Sequence, residues 1–491
     1  MPNQDDHSYT KKVASNTLIQ IIGKVITTAT SLVLITALTR YLGVEGYGEF
    51  TTIFSYVSFF AVFADLGFFS IMVREISKPH SQTQKIVNNI MTVRSILGIV
   101  VFLLCFVIAL FLPAYNETIK YGIGIIAFGW FWTTINSTYV GVFQAKHQMY
   151  KATLTDIIGR LIILGLVLFF IQQGYSLLAI VSAYAIGNMI NFLGSVVLGW
   201  GLVPFRFAFD YSLWRKMFAE ALPMGIVLLF GVIYLRIDSV MLSLMKTQTD
   251  VGIYGAPYKI LEILALIPGI FMGNVFPVIT RYYNEKDDRL YIALQKSFDF
   301  LATIALPLVA GTFLLAMPII GFIAGGEFQS ATTLGNIFGH QANSAMVLQI
   351  LIFATGIIFI SQIFTNTAVA IGKQRELVWP YILFAGVNIV INLLLIPKLS
   401  YIGASIATVI TEFLVLLTIW QIVKKHLPLM HIKFGIIWKA VIAVLAMSAF
   451  LYYCSYLNLF IQIIAAIIIY FVVLYAVGGY NKDMIKMLIK K

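Results

Sequence analysis

The sequence predicts an all-α, polytopic membrane protein with about 14 transmembrane helices, and three observations carry that expectation. Of its 491 residues, 60% are hydrophobic and only 11% charged, with a mean hydropathy of +0.91, whereas a soluble domain carries about 25% charged residues. Apolar runs recur along the whole chain at the length of about 20 residues that a bilayer requires. Lysines and arginines gather in alternate connections, as the positive-inside rule demands.

The expected spans cover residues 15–38, 48–72, 86–112, 119–142, 152–172, 177–201 and 217–241, then 252–277, 297–317, 345–371, 377–396, 401–423, 434–454 and 457–478. The first follows a polar arm with Lys11 and Lys12, and is too long and wrongly flanked for a cleaved signal peptide. It also carries Lys24. Facing lipid, that ammonium would cost roughly 3 kcal/mol or more. Thr17, Gln20, Lys24, Thr27, Thr28 and Ser31 fall at helical spacing along one stripe, opposite Leu18, Ile22, Val25, Ala29, Leu32 and Val33. An amphipathic helix in a membrane implies a wet cavity or a polar partner.

With the N-terminus placed inside, the inner connections hold nearly all the free basic residues, from Arg74, Lys78 and Lys85 to Lys424, Lys425, Lys482 and Lys491. The outer side keeps only Arg40, Lys120, Lys246 and Lys398. Both termini are therefore expected in the cytoplasm. The net charge of +12 is a topology signal, and no nucleic-acid partner is implied. Cys105 and Cys454 both fall in spans and are read as small hydrophobes, so no disulfide, metal or cofactor is expected. The longest outer connection, 318–344, has Glu327 and His340 as its only titratable residues.

A repeat is visible in the spacing. Tyr47 precedes Arg74 by 27 residues and Tyr254 precedes Arg281 by 27; Lys146 precedes Tyr175 by 29 and Lys373 precedes Tyr401 by 28. Spans 1–6 and 7–12 thus read as two parallel copies of a six-helix unit, with domains at 1–210 and 211–430 and two added helices at 431–491. Such duplication is typical of alternating-access transporters. Pro257, Pro268 and Pro277 in the eighth span, and Pro223 near the start of the seventh, predict kinks.

Thr39-Arg-Tyr-Leu-Gly-Val-Glu-Gly-Tyr-Gly-Glu-Phe50, Ala64-Asp-Leu-Gly-Phe68, Arg236-Ile-Asp-Ser-Val-Met-Leu242, Val251-Gly-Ile-Tyr-Gly-Ala-Pro-Tyr-Lys-Ile260 and Leu395-Ile-Pro-Lys-Leu-Ser-Tyr-Ile-Gly-Ala-Ser-Ile-Ala407 stand in an order and spacing that cover nearly the whole chain. Together they resemble the signatures of Wzx-type O-antigen and capsule repeat-unit flippases, within the multidrug/oligosaccharidyl-lipid/polysaccharide exporter superfamily. The resemblance implies a bacterial inner-membrane transporter, not an enzyme, that moves undecaprenyl-diphosphate-linked oligosaccharide to the outer leaflet. It also implies membrane lipids, a polysaccharide polymerase and chain-length proteins as partners.

The charges inside the spans then become candidates. Lys24, Arg236, Arg94, Arg160 and Lys259 are the cations suited to a diphosphate headgroup, since arginine grips phosphate oxygens bidentately. In related lipid-diphosphate flippases cations on the first and seventh helices do this, which the resemblance carries to Lys24 and Arg236. Asp65, Asp156 and Glu412 are the carboxylates available for ion coupling. Local pairing competes with these roles: Asp156 and Arg160 are four apart, Lys259 and Glu262 three apart, and Asp65 is a candidate counter-ion for Lys24. Glu220, Asp299 and Lys439 lie near span ends, where they can snorkel. Tyr184, Asn188, Asn191 and Ser195, then Ser361, Gln362, Thr365 and Asn366, and Asn388 with Asn392, form polar stripes suited either to sugar hydroxyls or to interhelical hydrogen bonds. The alternatives are an ion-coupled drug or organic-cation antiporter, which wants carboxylates without nearby cations, and an integral-membrane polysaccharide polymerase or ligase, which wants a larger outer loop. No phosphate-binding loop of the G-x-x-x-x-G-K-[ST] kind is present to couple ATP.

Overall fold

A computed structural model describes residues 4–78, 82–204, 206–337 and 339–479. Lys482, Lys486, Lys490 and Lys491 lie outside the described residues, as do the side chains of Lys11, Lys12, Thr17, Leu18 and Pro223. The described chain is helical almost throughout. Ten helical stretches are long and apolar enough to cross a membrane.

Two of those ten are each interrupted by a residue with positive φ. The first helix, α1 (Gln4–Asp65), is interrupted at Gly43, whose φ of 67° favours a residue without a Cβ. The long helix α14 (Val378–His426) is interrupted at Ser400, with φ 42°. Helices α4 (Glu117–Ala145) and α7 (Tyr211–Met245) are also of membrane-spanning length. Helix α4 is less apolar than those ten stretches because it carries buried Thr134, Asn136 and Thr138. Counting each half of the broken helices, the described helices account for the expected spans.

By residue contacts the chain separates into two compact units, 1–251 and 252–491. The first contains α1, α2 (Phe68–Ile76), α3 (Thr83–Leu110), α4, α5 (Met149–Gln172), α6 (Leu177–Gly199) and α7. This division falls later than residue 211, where the sequence duplication begins its second copy, because α7 packs against α1 and α2. The link before α7 is tied to α3: the Ala208 N–H donates to Thr92 Oγ1 at 2.9 Å, and the Asp210 N–H and Trp214 Nε1–H both donate to Asn89 Oδ1. Asp210 then caps α7 by accepting from the Leu213 N–H at 3.1 Å. Lys85, 2.7 Å away, holds the Asp210 carboxyl well below the usual carboxylate range, with Ser212 and the cap hydrogen bond adding to it.

The second unit contains α8 (Gln248–Leu264), which the boundary divides, α9 (Leu266–Asn284), α10 (Arg289–Leu314), α13 (Ser344–Ala370), α14, α15 (Gly435–Tyr453) and α16 (Leu459–Ala476). Between α10 and α13 lie two short helices, α11 (Ala316–Ile323) and α12 (Gly326–Ser330), and a minimal hairpin of β1 (Asn336–Ile337) and β2 (His340–Gln341). The eighth span breaks at Ala265 between α8 and α9. Pro268 accounts for that break: it has no N–H for the Leu264 carbonyl four residues back. Pro257 and Pro277 are accommodated inside continuous helix.

The repeat leaves a local trace. The residue immediately before each tyrosine of the second landmark pair has positive φ, Gly174 (71°) before Tyr175 and Ser400 (42°) before Tyr401. Each break reverses the chain between consecutive spans. Close helix approach in the first unit depends on small residues. A Cβ on Gly187 of α6 would meet the Gly159 carbonyl of α5 at 2.9 Å as well as the Ile163 side chain. Gly187→Leu should therefore separate α5 from α6 and destabilise the protein by on the order of 2 kcal/mol, as overpacking does. Gly165→Leu, where a Cβ meets nothing within 4 Å, is the control. Thermal unfolding in detergent should lower the melting temperature for the first variant only.

Candidate functional site

Of the expected polar stripe on the first span, Thr27 is buried, Thr28 and Ser31 are partly buried, and Gln20 and Lys24 are exposed. Ile22, Val25, Leu32 and Val33 are exposed, as lipid-facing side chains should be, while Thr27 and Thr30 are buried against protein. The hydroxyls of Thr27, Thr30 and Ser31 donate to carbonyls of their own helix, at 3.1, 2.9 and 2.8 Å. Lys24 is exposed. Its ammonium has no carboxylate partner among the described residues.

The other intramembrane cations differ. Arg94, on α3, is completely buried, with 0% exposure. Its guanidinium pairs with Asp65 at the end of α1, and its Nη1 donates to Ser137 Oγ at 2.6 Å and Thr138 Oγ1 at 2.9 Å on α4. Asp65 is thus engaged with Arg94. It sits where the second span breaks, since the next two residues, Leu66 and Gly67, have φ of 44° and 83°. A Cβ on Gly225 of α7 would meet the Leu66 carbonyl oxygen at 2.8 Å. Four helices therefore converge on this break.

Asp156 and Arg160 pair along α5 at 3.2 Å, both about half-exposed. Arg160 lies within electrostatic reach of the Tyr184 hydroxyl on α6, a tyrosine whose ring packs edge-on against Phe54. Lys24 stands beside Gly23, where α1 meets α5 at Thr153. Lys24, Asp156 and Arg160 are accordingly carried by adjacent helices of one unit. Arg236, on α7, is half-buried and makes an interaction with its surroundings. Asp238 is buried.

In the second unit Lys259 donates to Glu262 at 2.7 Å. Glu412 is buried beside Thr411, to which Asn388 donates at 3.4 Å, and Asn392 donates to Asn388 at 2.9 Å. Tyr381, hydrogen-bonded to Thr365, lies within electrostatic reach of Glu412. Asn388 thus joins the two halves of α14 across its break, with Asn392 bonded to it from within the first half. Asn366 donates to the Gln362 carbonyl and side chain within α13. The near-end charges find local partners: Glu220 with Arg74, Lys439 with the Gly478 carbonyl and Asp299 with Gln295.

The polar face of α4 is the feature that sequence reasoning missed. Its signal was the run Thr133-Thr-Ile-Asn-Ser-Thr138 inside a span. The pairing of Arg94 with groups 29, 43 and 44 residues away left no local spacing to find.

Solved structures share this architecture. The lipid II flippase MurJ in an inward closed conformation superposes with a TM-score of 0.73 at 15% identity, over 94% of this chain and 98% of its own. An inward-facing multidrug resistance MATE family transporter of the MOP superfamily gives 0.61 at 14% identity, over 81% and 95%. A MOP superfamily transporter from Pyrococcus furiosus gives 0.54 at 13%, over 84% and 96%. The fold is therefore that of the polytopic helical MOP transporters. Residues 13–283, more than half of the chain, match the sequence model of the polysaccharide biosynthesis protein family, and the chain belongs to that family. No curated protein sequence is significantly similar to it.

The Arg94 cluster yields a stability test. Removing one partner of a buried pair strands the other charge, at a cost of about 3–5 kcal/mol, whereas replacing both is far milder. Asp65 retains some exposure, which moves the expectation toward the lower figure. Arg94→Gln should lower the melting temperature of the detergent-solubilised protein markedly, and adding Asp65→Asn should recover part of the loss. Equal melting of single and double variants would refute the coupling.

Proposed function

We propose that the protein is a flippase that carries undecaprenyl-diphosphate-linked oligosaccharide repeat units across the bacterial cytoplasmic membrane, for O-antigen, capsule or exopolysaccharide synthesis. The carrying observation is Lys24: exposed, on the polar stripe of the first span, and without a carboxylate partner among the described residues. A diphosphate is a polyanion that must cross a low-dielectric layer. An ammonium not already neutralised by the protein can meet it with a charge-assisted hydrogen bond. Arg236 on α7 and Arg160 on α5 supply guanidinium groups in the same unit for the same headgroup.

Family membership supports a role in polysaccharide biosynthesis, and the fold supports transport by alternating access rather than chemistry on the sugar. The drug-antiporter alternative is disfavoured by the carboxylates themselves. Asp65, Asp156 and Glu262 each already face a cation, which leaves little negative charge for an organic cation. Glu412, buried beside Asn388 and Thr411, is the carboxylate best placed for ion coupling. Polymerase and chain-length proteins are the partners this reading implies.

Two experiments test it. Lys24→Ala and Arg236→Ala should each sharply reduce surface polysaccharide at normal membrane abundance, by the roughly 1.5–3 kcal/mol of a charged hydrogen bond. Lys24→Arg should keep part of the activity, and Lys398→Ala should behave as wild type. Full polysaccharide display by both alanine variants would make Lys24 structural. Reporter fusions to the C-terminus and within 325–336 should place the first in the cytoplasm and the second outside. The opposite result would overturn the orientation and the direction of transport.

A further inference from the structure

An apolar groove of about 700 Å³ runs over the second unit, walled by α10, α13, the second half of α14, and α15. It continues into a second hollow of about 410 Å³ that shares Phe298, Ile360, Leu416 and Phe434 with it. From Phe298 to Leu314, both on its α10 wall, the groove extends about 24 Å at the α-helical rise of 1.5 Å per residue. Its far end differs from the rest. There the walls include Lys424 and His431, with the Lys424 ammonium 5.2 Å over the Trp420 ring.

These two basic side chains have no carboxylate partner among the described residues, in contrast to His426, which bonds Glu376 at 2.8 Å. The carboxylate beside Phe298 on α10, Asp299, accepts a hydrogen bond from Gln295. The sequence has no acidic residue between Glu412 and Asp483, whereas Lys424, Lys425, His426, His431, Lys433 and Lys439 all fall in that interval. A long apolar channel with a cationic mouth, and a tryptophan–lysine pair where the apolar lining ends, has the chemistry of a lipid with a negative headgroup.

We propose that this groove is a binding site for an anionic glycerophospholipid, its acyl chain lying along α10 and α15 and its phosphate held by Lys424 and His431. A zwitterionic lipid would fill the same apolar channel but place its own cation against these basic groups. The site lies wholly within the second unit and does not rest on which substrate is transported. Its occupant would brace α15 against α10 and α13.

The test uses the full chain purified in neutral detergent, with phosphatidylglycerol or phosphatidylcholine added in mixed micelles. Phosphatidylglycerol should raise the melting temperature more than phosphatidylcholine, and native mass spectrometry should show it retained. Lys424→Glu with His431→Gln should weaken phosphatidylglycerol binding by about tenfold or more, as loss of a charge-assisted contact does. Ser448→Trp, which fills the apolar channel without touching the mouth, should reduce retention of both lipids. Lys398→Glu, on another connection, should change neither. Equal stabilisation by the two lipids, or unchanged phosphatidylglycerol binding in the double variant, would overturn the proposal. So would undecaprenyl phosphate binding through the same residues more tightly than phosphatidylglycerol, since the groove would then belong to the transported substrate.

Discussion

The pairing of Arg94 with Asp65 organises the first unit because a buried guanidinium in a membrane cannot be left alone. Its desolvation is offset by the Asp65 carboxylate and by the Ser137 and Thr138 hydroxyls that accept from Nη1, while the buried Nε–H has no hydrogen-bond partner among the described residues. Those partners come from α1 and α4. The arginine itself comes from α3. Three helices are consequently held in register by one side chain. The constraint also reaches the backbone, because Asp65 immediately precedes the two positive-φ residues at which the second span breaks. Leu66 tolerates an unfavourable conformation there while the surrounding packing, including Gly225 of α7 against its carbonyl, determines the path of the chain.

The same rule sorts the remaining intramembrane charges. Arg160 and Lys259 have a carboxylate one turn away on their own helices, and exposed pairs of this kind contribute little net stability. Their value lies in permitting charge at that depth. Hydroxyl and amide groups follow an equivalent logic: Thr27, Thr30 and Ser31 donate to carbonyls of their own helix, and Asn388, itself bonded by Asn392, bridges the two halves of α14. Polar stripes that could have lined a wet lumen are, in these instances, partly occupied by the protein's own hydrogen bonds. Such bonds are worth only about 0.6 kcal/mol each in a membrane. They can be exchanged for a ligand's at small cost.

Much of this was legible in the sequence, and the limits have physical causes. Spans are announced by a one-dimensional quantity, apolar length, and the breaks at Gly43 and Ala265 are announced by a glycine and a proline. Ser400 was not, because nothing in its side chain demands positive φ; the requirement comes from the reversal between two spans, hinted at only through its equivalence to Gly174. The i,i+3 and i,i+4 ion pairs could be read directly, since helical geometry fixes them. Asp65 was read as a candidate counter-ion for Lys24 and instead pairs with Arg94, an outcome that depends on which helices pack together. That is three-dimensional information, carried in the sequence only by the polar run on α4.

Lys24 is the exception that gives the pairing rule its functional meaning. A cation neutralised within the protein binds an anionic ligand only after its own salt bridge is broken, so much of the attraction is offset. An exposed ammonium without a carboxylate partner keeps its full attraction for an arriving phosphate. It must also release the phosphate afterwards, and a single lysine on a flexible stem is a weaker and less geometrically exacting grip than an arginine fork. On the proposed reading, Arg94 secures the scaffold and Lys24 meets the cargo, and the two cannot exchange roles. An arginine completely buried and paired with Asp65 is neither accessible nor free in charge for an arriving ligand, and a lysine so paired would no longer attract a diphosphate.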